Sequence, residues 1–340
     1  MAARAQAGGH RLSSGFQVPV NQTADDARLA PGASLIARAL QGLPAPLRGA
    51  VAVVLLVINT LWWCTLLFVL ALVRLLLPWP AMRRGLDVWI NRVATAWIGG
   101  NSGWMRATQR TVWDVQGLDD LAYQGWYLVV ANHQSWVDIF VLQHLLNRRI
   151  PLLKFFLKQE LIWVPVMGLA WWALDFPFMR RHSDKVLMRH PEKRLEDVEA
   201  TRRACAKFAL VPTSVMNFVE GTRFTAAKHA AQRAHYGHLL RPKAGGLAMA
   251  MNALGDRFDA LLDLTIVYPD GTPTFWQFLR GDVGRVIVRA RRLPIPPEVA
   301  QGDYVGDPRY RKQVQRWLLA LWKGKDAQID ELLGGPPAAD

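Results

Sequence analysis

Trp126-Tyr127-Leu128-Val129-Val130-Ala131-Asn132-His133-Gln134-Ser135-Trp136-Val137-Asp138 is the stretch that decides the fold. Apolar residues run from Trp126 to Ala131 and stop abruptly at polar ones. A short run rich in Val and aromatics reads as a buried strand. His133 then stands at the strand's C-terminal end, where open α/β sheets place their chemistry. Asp138 follows five residues later, at the start of a helix predicted through Phe140 and Leu142 to Leu146. A strand-to-helix turn of that length brings the carboxylate back onto the imidazole. The pairing fixes the tautomer and stabilises the charged ring, as a general base requires. A plainer reading fits the same residues. Ser135-Trp136-Val137-Asp138 matches a capping box, with Ser135 as N-cap and Asp138 at the third helical position. Asp138 then serves the helix terminus and His133 is an ordinary turn residue.

A second stretch bears on the choice. Val215 to Val219 is another short apolar strand, followed at once by Glu220-Gly221-Thr222-Arg223. Two strands that end in polar clusters suggest two walls of one site.

Asn132-His133 with Asp138 resembles the NHx4D motif of the PlsC-like glycerolipid acyltransferases, the 1-acyl-sn-glycerol-3-phosphate acyltransferase type. Phe218-Val219-Glu220-Gly221-Thr222-Arg223 resembles that family's FPEGTR motif, with Val219 where Pro is common. Between them, Gly168 and Phe178-Met179-Arg180-Arg181 resemble its Gly…Phe-x-x-Arg block. Three blocks in the right order over roughly residues 110–270 form a specific signal, where any one alone is weak. Leu157 to Leu161 and Tyr268-Pro269-Asp270-Gly271 look like the YihG-type bacterial subgroup. The family's Pro-bearing fourth strand matches loosely, since Pro269 falls just past the strand Leu264 to Val267.

The resemblance implies transfer of a fatty acyl chain from a thioester donor, acyl-CoA or acyl-carrier protein, to the free hydroxyl of a lysophospholipid. Lysophosphatidate going to phosphatidate is the first expectation; another lysophospholipid acceptor is the alternative. Such a reaction needs a base, donors for the developing oxyanion and a grip on the acceptor's phosphate. His133 is the expected base and Asp138 its orienter. The substrate hydroxyl attacks directly, so Ser135 is read as a helix cap rather than a nucleophile. Arg223 offers a bidentate phosphate contact, and the resemblance makes Arg181 a second phosphate ligand. Glu220 is expected to orient Arg223 or to bond a glycerol hydroxyl, Gly221 to permit the tight turn, and Thr222 to line the substrate site. Lys243, before Gly245-Gly246 and a helix N-terminus, is a weaker anion-site candidate. No cofactor or metal is expected. Two readings of other classes remain: a membrane-anchored hydrolase using His133 to activate water, and a non-catalytic binder of anionic lipid.

Composition narrows the partners. The 340 residues carry a net charge of +14, 51% hydrophobic residues and 15 Trp. The charge favours anionic partners; the Trp content suits a membrane interface and argues against nucleic acid. Cys64 and Cys205 lie far apart and suggest no disulfide framework.

Five segments are expected. Residues 1–45 read as a disordered tail. Residues 46–78 hold a transmembrane helix, since Gly49 to Val73 is uncharged and almost wholly apolar over 25 residues. On this reading the helix is an attachment that can be removed without loss of the catalytic fold. Denser arginine after it than before it places the following domain in the cytoplasm, and the resemblance to a bacterial subgroup makes the membrane a bacterial inner membrane. Residues 79–109 form an amphipathic linker helix, either in the headgroup layer or packed on the domain. Residues 110–300 form the acyltransferase domain: a mixed α/β sheet flanked by helices, with Arg285 to Ala290 as an edge strand. Within it Leu161 to Leu174 is apolar throughout, a buried helix or a lipid-facing surface. A helix is also expected over Glu192 to Leu210, and the stretch with His229, His235 and His238 reads as a loop. Residues 301–340 form a C-terminal amphipathic helix and tail, either interfacial or packed on the domain.

Overall fold

A computed structural model describes residues 34–179, 212–232 and 235–334. The predicted helix over Glu192 to Leu210 and the residue Arg181 lie outside these, as do residues 1–33.

Among the described residues six strands form the main sheet: β1 (Val112–Gln116), β2 (Tyr127–Ala131), β3 (Leu153–Phe155), β6 (Ser214–Asn217), β7 (Ala260–Val267) and β8 (Arg285–Leu293), in the spatial order β1-β8-β7-β2-β6-β3. A separate small pair joins β4 (Leu157–Lys158) to β5 (Phe178–Met179). β2 runs parallel to both β6 and β7, and β8 runs antiparallel to β7. The sheet is therefore mixed, as expected. β8 is internal, however, and the edges are β1 and β3. The predicted edge position of Arg285 to Ala290 fails because β1, from the far end of the domain, pairs on its outer side.

β2 is buried at every position. Alternate side chains leave a strand on opposite faces. Tyr127, Val129 and Ala131 enter one apolar cluster, while Leu128 and Val130 enter another. Covering both faces explains why the strand reads as an unbroken apolar run rather than an alternating one. It also puts the loop after β2 in the middle of the sheet's upper edge, beside the ends of β6 and β7.

Helices cover both faces. α4 (Val137–Leu146) follows β2; α6 (Ala226–Gln232) and α7 (Ala244–Leu254) follow β6; α8 (Phe275–Leu279) follows β7; and α9 (Pro297–Ala300) leads into α10 (Pro308–Leu332). α10 lays Val314, Leu318, Trp322 and Ile329 into the core, so the packed alternative holds for this helix. Lys325 on the same face is fully buried. Its Nζ lies 2.6 Å from Asp263 of β7 and donates to the Leu264 carbonyl. A buried charge needs such partners.

Residues 35–108 form α1 (Leu35–Gly42), α2 (Ala45–Leu76) and α3 (Pro80–Thr108). α2 and α3 pack as an antiparallel hairpin turned at Leu77-Pro78-Trp79, where Pro78 lacks the amide needed to continue a helix. Among the described residues α2 is the one helix long and apolar enough to cross a membrane, with a mean hydropathy of 2.4. Its polar interruptions have partners on α3: Asn59 bonds the Trp97 carbonyl and Asn101, and Thr60 accepts from Trp97. Nor is α2 a detachable anchor. Ala52 is fully buried in the domain core, and Arg48 donates to the Arg280 carbonyl at 2.5 Å. Deleting it would open the core.

The apolar stretch Leu161 to Leu174 is broken. A 3-10 turn (Gln159–Trp163) ends before Pro165, Val166 takes φ +63°, and α5 (Met167–Ala173) starts anew. Gly168 is required here, since a Cβ would run into the Ile162 carbonyl. Ala170 and Ala173 pack on α2 and α3 while Trp163 and Leu169 are exposed, so the segment is a buried helix along one side only.

Candidate active site

His133 leaves the end of β2, and Asp138 sits in the first turn of α4. The His133 Nδ1 lies 2.8 Å from Asp138 Oδ2. The same oxygen accepts from the amides of Gln134 at 2.6 Å and Ser135 at 2.8 Å. The capping box expected of Ser135 to Asp138 is not completed: α4 starts at Val137 with Trp136 as its N-cap, and Ser135 Oγ accepts from Val137 N rather than Asp138 N while donating to the Pro273 carbonyl. One oxygen of Asp138 nonetheless meets both the imidazole and the backbone that leads into α4. With Nδ1–H given to the carboxylate, His133 presents Nε2 as its free lone pair.

The ring is also held from its face. Phe218, at the end of β6, stacks on it with centroids 3.9 Å apart and planes at 13°. The main chain ties the two motif loops together: Phe224 N donates to the His133 carbonyl at 2.7 Å. Asn132 has a structural task. Its amide pairs with both the N–H and the C=O of Ile266 at 2.8 Å, clamping the tip of β7 to the tip of β2.

Glu220 does not take the first of the two roles expected of it, the orienting of Arg223. It is buried, and its two oxygens accept from the backbone of His133 at 3.1 Å and Leu240 at 3.3 Å. It braces the loops instead of meeting Arg223. With only those two donors, burial pushes its carboxyl up to about 8. Gly221 has φ +70°, the left-handed turn for which glycine is suited. That turn throws Thr222 and Arg223 outward.

The Arg223 guanidinium lies 4.9 Å over the Trp136 ring, a cation–π contact on the outer side of the loop. Lys228 reaches back from α6 to Thr222 Oγ1 at 2.7 Å and to the Arg223 carbonyl. The Lys243 chain passes beside Gly221, with its Nζ 3.9 Å from where a Cβ would stand. Three cations thus gather around one exposed turn.

On the inner side, a cavity of about 490 Å³ begins at His133, Trp136 and Phe218. It runs between α4 and the hairpin, past Phe140, Trp97, Leu56 and Trp63, to α5 at Ala170 and Trp171. Its lining is almost entirely apolar.

Reading the sequence alone misses several of these parts. Tyr268, just past β7, donates its hydroxyl to Asp138 Oδ1 at 2.6 Å. A third strand tip ending in Tyr268-Pro269-Asp270 was the available signal. Phe218 and Trp136 were visible only as motif neighbours, and the cavity walls from α2 and α3 had no signal pointing to the site. The histidines at 229, 235 and 238 stay apart from it. His229 is on α6, and His238 pairs with Asp330 of α10 at 2.7 Å. Among the described residues no group of three or more metal-ligating side chains occurs.

Residues 112–272 match the family model described as Acyltransferase. The 1-acyl-sn-glycerol-3-phosphate acyltransferase 3 of Arabidopsis thaliana is 26% identical over 221 residues, covering 60% of this chain and 53% of that protein. The 1-acyl-sn-glycerol-3-phosphate acyltransferase delta of Homo sapiens is 27% identical over 218 residues, covering 60% and 52%. The chain thus spans about half the length of these curated relatives. A solved structure, the 1-acyl-sn-glycerophosphate (LPA) acyltransferase PlsC from Thermotoga maritima, aligns with a TM-score of 0.48 and 17% identity, over 82% of this chain and 98% of that one. The matched segment takes in both motif loops, the Asn132 clamp and Tyr268, so residues 112–272 form an acyltransferase domain similar to those of the 1-acyl-sn-glycerol-3-phosphate acyltransferases.

Proposed function

We propose that the protein is a membrane-bound acyltransferase that moves a fatty acyl chain from a thioester, acyl-CoA or acyl-carrier protein, to the free hydroxyl of a lysophospholipid, with lysophosphatidate as the first acceptor. One observation carries this reading. The His133–Asp138 pair stands where an apolar cavity meets a cationic turn. A lysophospholipid and a fatty thioester each combine an anionic head with a long apolar chain, and this arrangement separates those parts across the base.

In this mechanism the acceptor hydroxyl sits at His133 Nε2 and attacks the thioester carbonyl. A C–O bond forms as the C–S bond breaks. The hydroxyl proton passes to Nε2 and leaves with the thiolate as a thiol. Asp138 holds the ring's tautomer and balances its charge while the proton is on it. Arg223 holds the acceptor phosphate by its planar fork, with Thr222 beside it, and Arg181 is a second ligand to the same phosphate. Gly221 and Glu220 shape the turn. The cavity takes an acyl chain. No cofactor enters the reaction.

Beside the exposed apolar residues Trp62, Leu72 and Leu76 of α2 stand Trp79 in the turn, Trp89 of α3 and Trp163 before α5, all exposed. These belong in a lipid bilayer, with the domain at the cytoplasmic face of a bacterial inner membrane.

Membranes carrying the protein, incubated with labelled lysophosphatidate and acyl-CoA, are expected to form phosphatidate, and the His133→Ala membranes to form it slower by on the order of 10²–10⁴. Free fatty acid in place of product lipid would make the protein a hydrolase. Product only from another lysolipid would change the acceptor.

A further inference from the structure

We propose that Tyr268 is a positioning residue that sets the basicity of His133 by holding the far oxygen of Asp138. This rests on the reading of His133 as the base.

Asp138 is completely buried, and its two oxygens are used differently. Oδ2 faces the imidazole and the Gln134 and Ser135 amides. Oδ1 accepts the Tyr268 hydroxyl at 2.6 Å, a length typical of a strong hydroxyl–carboxylate bond. A donor at Oδ1 draws negative charge away from Oδ2. Less charge then faces the imidazole, so the ring holds its proton less tightly. In a buried setting such effects are weakly screened. Tyr268 can play this part because its place is fixed from both sides. It is itself buried, and the Asn132–Ile266 clamp joins the chain two residues before Tyr268 to the residue before His133. Its own proton is secure, since burial and the neighbouring carboxylate push the phenol well above its ordinary range. It therefore stays a neutral donor wherever the enzyme works.

Among the described residues, the groups facing this cluster come from four elements. Asp138 comes from α4 and Tyr268 from the end of β7. Glu220 comes from the turn after β6 and meets the His133 amide. Lys325 of α10 acts on Glu220 from further off, and Arg223 stands across Trp136. Burial pushes Glu220 up to about 8, so the test must separate it from His133.

The test is the acidic limb of kcat/KM against pH, which reports the free enzyme's base. It is measured for full-length protein in membranes with lysophosphatidate and acyl-CoA. For Tyr268→Phe the limb is expected to move to higher pH by about half a unit or more. The same displacement is expected in a Glu220→Gln background, where Glu220 cannot titrate. Should Tyr268→Phe fail to fold, 3-fluorotyrosine at position 268 keeps the shape and donates more strongly. Its limb is expected at lower pH than wild type. A limb that stays in place in a folded Tyr268→Phe protein, or in the fluorotyrosine protein, overturns the proposal. A merely structural tyrosine would lower the melting temperature and leave the limb where it was. The His133→Ala variant separates the two readings. If it keeps near-wild-type turnover, the base assignment fails, and this proposal with it. If it is inactive while the limb ignores Tyr268, only this proposal fails.

Discussion

The turns after β2 and β6 each bury a carboxylate at the same edge of the sheet, yet they provide for it differently. Asp138 receives four donors: an imidazole, two amides and a phenol. Glu220 receives two backbone amides at 3.1 and 3.3 Å, and burial pushes it up to about 8. Burial alone disfavours a charged carboxylate; it is the number and kind of donors that offsets this. The difference follows the tasks proposed for the two groups. One must carry negative charge against a ring that gains a proton. The other has only to hold two loops together, which needs acceptors rather than a charge.

The strongest way to break this contrast is at the ring itself. His133→Ala is expected to cost on the order of 10²–10⁴ in turnover while the protein stays folded and in the membrane. Rates measured beside melting curves check it, and near-wild-type turnover in a folded variant would remove His133 as the base.

Asp138→Asn should follow closely, and it should cost stability too. The same Oδ2 serves the imidazole and the helix start, so rate and melting temperature are expected to fall together, with a stability loss of about 1–3 kcal/mol. A rate that survives a lowered melting temperature would leave Asp138 as a cap and nothing more.

Arg223 tests the outer side of the site. Arg223→Lys keeps the charge but loses the planar fork, so the lysolipid KM should rise, and Arg223→Ala should raise it further. Initial rates against lysolipid at saturating donor, and then the reverse, make the check. A KM rise for the donor alone would move Arg223 to the thioester's side.

The effect expected to be smallest on turnover concerns Glu220, and it is read in stability. Its folded value of about 8 stands above its ordinary 4.5, so the folded state binds the proton more tightly. The stability this provides is fully present below about 4.5 and is lost as pH rises through 8. The slope is at most about 1.4 kcal/mol per pH unit. Glu220→Gln should flatten the fall in melting temperature between those limits. An unchanged slope would mean that Glu220 is ionised in the folded protein after all.

Much of the site lay open in the sequence because it is local. A buried strand, a turn and a helix cap lie within thirteen residues, and His133 and Asp138 can hardly avoid meeting across them. The Glu220 turn was legible for the same reason, with Gly221 marking its left-handed residue. The bracing role of Glu220 was missed, because its partners, His133 N and Leu240 N, lie 87 and 20 residues away and leave no local pattern.

Contiguity thus determined the strands, the helix starts, the motif loops and the length of α2. Only the tertiary structure decided what faces what. Tyr268 meets Asp138 across 130 residues of chain because β7 pairs beside β2, and no period in either segment encodes that pairing. β8 became internal because β1 returns to pair with it. The clearest case is α2. Its run reads as apolar on every side, since lipid and protein interior ask for the same side chains. Which stripe of it would line the cavity at Leu56, Trp63 and Leu67, and which would be left outside, was settled by where α3 and α5 packed.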